Sequence, residues 1–364
     1  MKNIITCIIL FAALPLSQPG SWKQQPTIPV APAGNLFIIT IDGFRWQEVF
    51  TGADGSLISN PAYTPDTATM KMLYWSADEK ERRQKLMPFF WSVIAGKGQL
   101  YGNRKYDNKV NTSNLYRYSY PGYNEIFTGA TDIRVSTNKK KQNANTNVLE
   151  YLNGKEEFKG KVVAFTSWDV FPYILNEERN GMLINSGYES MQGEVTADQQ
   201  LINAVQEEGV YEKGATRYDQ LTFLTAHEYI AHHQPRVVYL ALGETDEHAH
   251  HGRYDLYLEQ ANAIDRQIAK LWHWIQSTPG YKDNTTILIT TDHGRGSRDS
   301  KWTSHSAFIQ GSSQTWLALL GPGVEPLGEM KEEQQFYQYQ IAKTIASLVG
   351  ESYQAGMKAD VTMK

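Results

Sequence analysis

The chain has 364 residues, of which 41% are hydrophobic and 20% charged, with a formal net charge of −4. This length fits one large α/β domain or two small ones, and the composition is that of a globular, soluble protein. The mild negative charge excludes general electrostatic attraction to nucleic acid or anionic lipid, so any phosphate chemistry would rest on local positive charge such as a metal.

Residues 1–21 read as an export signal: Lys2 gives the positive start, 4–16 the short apolar core and 17–21 the small residues for cleavage. The apolar run falls short of the roughly 20 residues a membrane span needs. The only cysteine, Cys7, lies inside this segment, too early for a lipoprotein cleavage site, so a processed chain would have neither disulfide nor thiolate ligand. A periplasmic or secreted location is the expectation, with no membrane span after signal removal. A Pro-rich linker over 22–34 then leads to one domain, 35–364.

Within it, short apolar runs of strand length alternate with stretches of helical periodicity, which is α/β order. The runs 36–41, 162–166, 237–242, 286–291 and 315–320 are continuously apolar, as expected of strands covered on both faces. A helix is predicted over 254–277 from Ala261, Ile264, Ile268, Leu271 and Ile275, another near 335–348, and a third after Ser119. The segments 51–114 and 172–213 are poor in strand signals and are expected to be insertions over one end of the sheet. The predicted fold is a three-layer α/β/α sandwich with a mostly parallel central sheet.

Three apolar runs lead within a few residues to Asp42, Asp246 and Asp292. Ligands bind beyond the carboxyl ends of strands in open α/β sheets, so the three carboxylates are expected at one edge. Singly, each would pass for a helix or turn cap. His250, His293 and His305 lie four, one and thirteen residues beyond Asp246, Asp292 and Asp292 respectively. Neutral imidazole mixed with carboxylate is the usual ligand set of catalytic zinc. His227, His232, His233 and His273 are read as surface or core residues, and His248 and His251 as neighbours of the site. The Lys139, Lys140, Lys141 run is read as a solvated loop. Ser119, just ahead of Pro121, stands at a helix start, where spacing alone leaves nucleophile and N-cap equally open.

These segments occur together and in order: Ile-Thr-Ile-Asp42-Gly-Phe-Arg, the Ser119 segment ending in Thr-Gly, Thr-Asp246-Glu-His-Ala-His250, Thr-Asp292-His293-Gly and His305. In that order they resemble the alkaline phosphatase superfamily, and most of all its type I phosphodiesterase/nucleotide pyrophosphatase branch. The resemblance implies two divalent ions, expected to be zinc, one held by Asp42, Ser119, Asp292 and His293 and the other by Asp246, His250 and His305. Ser119 would then be both ligand and nucleophile, acting on a small-molecule phosphoester, with a diester favoured. The branch usually has threonine at the Ser119 position, followed by Pro-Asn-His where this chain has Pro121, Gly122 and Tyr123. It also places an asparagine beside the transferred group, for which Asn138 is the match and Asn143 and Asn145 are competitors. Tyr118, Tyr120, Tyr123 and Trp168 are candidate walls for a leaving group. A sulfatase is a rival, although Tyr123 stands where its motif demands arginine. A monoesterase is another, for which the sequence reveals no phosphate-clamping arginine. A cofactor-independent mutase conflicts with the export signal, and an exported binding protein that has lost turnover would be expected to lose ligands first. Oligomeric state is left open.

Overall fold

The computed structural model describes residues 26–356, so the 1–21 export signal with Cys7 lies outside the described residues. Eleven strands are present among them: β1 (Asn35–Ile41), β2 (Gly98–Tyr101), β3 (Asn108–Asn111), β4 (Val162–Thr166), β5 (Leu183–Ser186), β6 (Val237–Leu242), β7 (Thr285–Thr290), β8 (Gln314–Thr315), β9 (Leu317–Leu320), β10 (Gly328–Glu329) and β11 (Gln334–Tyr337). Eight form one sheet in the order β10-β2-β9-β7-β1-β6-β4-β5, and β11-β3-β8 form a small second sheet. In the main sheet β9 runs antiparallel to both its neighbours, and every other pairing is parallel.

Alternation along each central strand divides the core in two. On one face, Phe37, Ile39, Val238, Leu240, Ile287 and Ile289 pack with Leu258, Ile264 and Ile268 of the Tyr254–Ser277 helix. On the other, Leu36, Ile38, Val237, Tyr239 and Leu288 pack with Ile126 of the Ser119–Thr128 helix and Ile345 of the Gln340–Leu348 helix. A strand whose successive side chains point to opposite faces must be apolar throughout when both faces are covered, which gives the runs their unbroken character. Each large aliphatic side chain so buried contributes about 1.5–3 kcal/mol before entropy costs. The result is the three-layer α/β/α sandwich.

The segments 51–114 and 172–213 are not strand-free: β2 and β5 join the main sheet and β3 the small one. The helix expected near 335–348 is shorter, Gln340–Leu348, because 334–337 pair in parallel with 108–111 and Phe336 packs edge-on against Tyr101. The run 315–320 is broken at Trp316, whose carbonyl accepts the Thr290 hydroxyl at 2.6 Å and whose indole N–H donates to the Phe44 carbonyl at 2.8 Å. The described part of the 22–34 linker lies against the body, with Ala31 N–H donating to the Gly323 carbonyl and Ala33 N–H to the Leu348 carbonyl.

Candidate active site

Register fixes where the three carboxylates emerge. Ile41 pairs with Leu242 and Thr40 with Thr290, so β1, β6 and β7 end level with one another. Asp42 follows β1 directly, Asp292 leaves β7 two residues after its end, and Asp246 sits in the Glu244–His250 helix that follows β6. Gly43 turns the chain at φ +59°, and its N–H donates to Asp292 Oδ1 at 3.0 Å. A Cβ there would come within 2.5 Å of Asp246 Oδ1, so only glycine lets Asp42 and Asp246 approach. Thr245 Oγ1 donates to the Asp42 carbonyl at 2.6 Å and locks the two loops together.

His293 Nε2 stands 3.3 Å from Asp292 Oδ2, 3.5 Å from Asp42 Oδ1 and 3.9 Å from Asp246 Oδ1. The three carboxylates expected at one edge therefore converge on a single nitrogen. Asp246 Oδ2 lies 3.0 Å from His250 Nε2, which lies 3.1 Å from His305 Nε2. The structure brings the six His and Asp residues together as two clusters, Asp42 with Asp292 and His293, and Asp246 with His250 and His305, each with ligand atoms mutually within 4.8 Å.

The tautomers test whether this arrangement fits metal ions. His293 Nδ1 is 3.0 Å from the Gly294 carbonyl and His305 Nδ1 is 2.8 Å from the Arg117 carbonyl. A carbonyl only accepts, so both protons sit on Nδ1 and both Nε2 lone pairs face the carboxylates. Burial keeps these imidazoles neutral, His293 down to about 4 and His305 down to about 3. Burial, then the charges of Asp292 and Asp246, push Asp42 well above the usual carboxylate range, and burial followed by Asp246 raises Asp292. Asp292 Oδ2 is buried without a hydrogen-bond partner. Lone pairs and carboxylate oxygens aimed at shared points repel one another unless cations lie between them, so the donor set fits divalent metal.

Ser119 opens the Ser119–Thr128 helix as its first residue, after the extended Tyr118, and Tyr118 makes no side-chain cap. The serine is thus not the N-cap. Its hydroxyl instead lies 3.3 Å from His293 Nε2 and 3.5 Å from Asp42 Oδ1. Gly122 brings this helix against the end of β7: a Cβ would meet the Asp292 carbonyl at 2.6 Å. Tyr123 is fully buried and donates to Asp42 Oδ2 at 3.0 Å, so it orients a carboxylate and does not line a leaving-group wall. Tyr120 is also buried, with its hydroxyl bonded to the Lys141 carbonyl at 2.6 Å. Tyr118 and Trp168 stay partly exposed, Tyr118 with its ring edge-on to His305.

Asn138 Oδ1 accepts the Tyr120 N–H at 3.1 Å, which sets its amide beside the start of the helix. The amide nitrogens of Asn143 and Asn145 are instead committed to Asn124 Oδ1, at 3.0 and 3.1 Å, and to groups beyond it. His248 and His251 stay outside both clusters, with His251 Nδ1 on the Glu247 carbonyl at 2.8 Å.

One participant was missed. Arg295 is buried and its NH1 bonds Asp246 Oδ1, while Nε donates to the Trp302 carbonyl at 2.9 Å and NH2 to the Thr303 carbonyl at 2.5 Å. Burial alone would raise Asp246, but this guanidinium and the His250 hydrogen bond hold it well below the carboxylate range. The residue follows Asp292-His293-Gly directly, so a charge so close to two candidate ligands was the available signal.

Residues 57–309 match the family described as Type I phosphodiesterase / nucleotide pyrophosphatase, well over half the chain. No curated protein matches significantly. Among solved structures, the lipoteichoic acid synthase LtaP from Listeria monocytogenes aligns with a TM-score of 0.59 at 12% identity, over 91% of this chain and 75% of that one. The wild-type alkaline phosphatase PafA aligns at 0.56 and 11% identity over 92% and 99%. The phosphonate monoester hydrolase SpPMH from Silicibacter pomeroyi aligns at 0.56 and 13% identity over 88% and 74%. At such identities the structures attest the fold, an alkaline phosphatase-like one. The chain belongs to the type I phosphodiesterase / nucleotide pyrophosphatase family, a metal-dependent branch of the alkaline phosphatase superfamily, and is a phosphoester hydrolase.

Proposed function

We propose that this protein is an exported phosphodiesterase that uses Ser119 as nucleophile and holds two divalent ions, zinc in our reading. Asp42, Asp292 and His293 with Ser119 would hold one ion, and Asp246, His250 and His305 the other; together they would supply Lewis acidity at the phosphoryl group and favour the serine alkoxide. The observation that carries this reading is the Ser119 hydroxyl, which is no helix cap and lies within 3.5 Å of two members of the first cluster. The start of the Ser119–Thr128 helix adds a positive dipole end beneath the oxygen that must become anionic. Ser119 Oγ attacks phosphorus, the alcohol leaves, and water then hydrolyses the phosphoseryl ester. Asn138, anchored through Oδ1, keeps its NH2 free to donate to a non-bridging oxygen. Export rests on the 1–21 segment; no described helix is long and apolar enough to cross a membrane.

A diester is favoured because Arg295 has all its arms engaged and offers nothing to a second phosphate charge. A monoester reading would rest on Arg117, two residues from Ser119, whose Nε is buried without a partner. Bis-p-nitrophenyl phosphate, p-nitrophenyl phosphate and p-nitrophenyl sulfate, offered to zinc-loaded protein, separate diesterase, monoesterase and sulfatase. Ser119→Ala should lower turnover by several orders of magnitude while metal content falls little. Rapid quenching with a labelled diester should leave phosphate on Ser119. Near-normal turnover in Ser119→Ala would mean that water attacks directly.

A further inference from the structure

Three loops meet at the edge that carries the site, and besides the contact of His305 Nδ1 with the Arg117 carbonyl two side-chain hydrogen bonds join them. Arg117 NH1 donates to the Ala307 carbonyl at 2.9 Å, and the Tyr116 hydroxyl donates to the Ile133 carbonyl at 2.8 Å. Each loop presents one large apolar side chain to water: Leu115 is 68% exposed, Ile133 73% and Phe308 99%. Each lies within five residues of a candidate site residue: Leu115 of Ser119, Ile133 of Asn138 and Phe308 of His305. Single exposed apolar residues are ordinary, but three on joined loops around one catalytic edge call for an apolar partner.

Charge narrows the partner. The segments 112–118, 131–142 and 296–310 hold seven Lys and Arg against two Asp, in a chain whose net charge is −4. Arg134 pairs with Asp132 and Lys140 with Asp169, which within 131–142 leaves exposed Lys139 and Lys141 without an ion pair and free for an external anion. Apolar tips beside unpaired lysines match an anionic lipid interface, where side chains enter the acyl boundary and ammonium groups stay among the headgroups.

We propose that this rim seats the protein on an anionic lipid bilayer, with Leu115, Ile133 and Phe308 inserted and Lys139 and Lys141 on the headgroup phosphates. The docking goes beyond the diesterase reading and needs no turnover. Sedimentation with phosphatidylcholine vesicles containing phosphatidylglycerol, against phosphatidylcholine alone, reads it directly. Intact protein should bind the mixed vesicles several-fold more tightly, and high salt should remove that preference. Each of Leu115→Ser, Ile133→Ser and Phe308→Ser should weaken binding about tenfold, and Lys139→Glu with Lys141→Glu should abolish the preference for anionic lipid. All five changes lie outside the candidate machinery, so hydrolysis of a soluble p-nitrophenyl ester should be unchanged and reports correct folding. Ser119→Ala should bind vesicles like the unaltered chain, which separates a failure of the nucleophile assignment from a failure of the docking. The proposal is overturned by absence of binding to either vesicle, or by binding that the three serine substitutions leave intact. It is equally overturned if light scattering shows a dimer that these substitutions dissociate, since a second copy would then cover the rim.

Discussion

Arg295 joins the second cluster to the loop that follows it. Its NH1 fixes Asp246, while Nε and NH2 hold the carbonyls of Trp302 and Thr303, two to three residues ahead of His305. Replacing it with glutamine would leave a buried carboxylate oxygen and at least one buried carbonyl short of a donor, at a cost of about 3–5 kcal/mol. Arg295→Gln should therefore lower the melting temperature and release selectively the ion assigned to Asp246, His250 and His305. Elemental analysis should fall from near two equivalents toward one; retention of both at normal affinity would show that Asp246 and His305 need no such support. Asp42, Asp246 and Asp292 were legible in the sequence as carboxylates following apolar strand-like runs, with His250, His293 and His305 close behind them, whereas Ser119 at a helix start entered the candidate ligand set only through the family resemblance. Arg295 and Tyr123 were not legible, because an arginine and a tyrosine have many structural uses, and only coordinates reveal that they bond Asp246 and Asp42.

At the scale of elements, what could be read early was local periodicity, and what could not was pairing between distant segments. The central strands and the Tyr254–Ser277 helix carry unbroken apolar or three-four patterns, so they were found nearly to the residue. The four-residue β2, β3, β5 and β11 have too little pattern to show a period, and they exist because neighbours far along the chain offer hydrogen bonds. The Ser119–Thr128 helix illustrates what such contacts demand. Gly122 fits against the Asp292 carbonyl only because it lacks a Cβ, so Gly122→Ala must push the helix off the end of β7. Overpacking of this kind costs about 1–3 kcal/mol. Because Ser119 is three residues away on the same helix, turnover should fall by tenfold or more with metal content largely kept. A variant as active as the unaltered chain would show that the helix can slide without moving the hydroxyl.

On the scale of the whole molecule, the site draws together β1, β6, β7 and the helices and loops beyond them, so its charge balance bears on the stability of the entire sandwich. Three buried or nearly buried carboxylates face two neutral imidazoles with Arg295 as the buried cation among them. Ions that bind only the folded chain stabilise it by about 4 kcal/mol each at a thousandfold excess over Kd. Removing them with a chelator should lower the melting temperature by on the order of 10 °C. The pH dependence distinguishes this from a nonspecific effect. In metal-free protein, burial and Asp246 raise Asp292 to about 7, and burial, Asp292 and Asp246 also raise Asp42 well above the usual carboxylate range. A carboxyl group with a raised folded pKa favours folding at low pH, and that contribution is lost as pH rises through the folded value. The opposing contribution of His293 and His305, which are depressed, is half spent at their ordinary value of about 6.5 and nearly complete about one pH unit above it, where the unfolded imidazoles are neutral too. Between about pH 7 and 8 the melting temperature of chelated protein should therefore fall. The metal-loaded protein should fall less over the same range, because bound cations would keep Asp42 and Asp292 ionised and leave only groups outside the clusters, such as Glu244 raised to about 8 by burial and Asp219, to titrate. Differential scanning calorimetry of both forms across that window measures the gap, which should widen with pH; a constant gap would mean that the ions stabilise the fold without relieving the buried carboxylates.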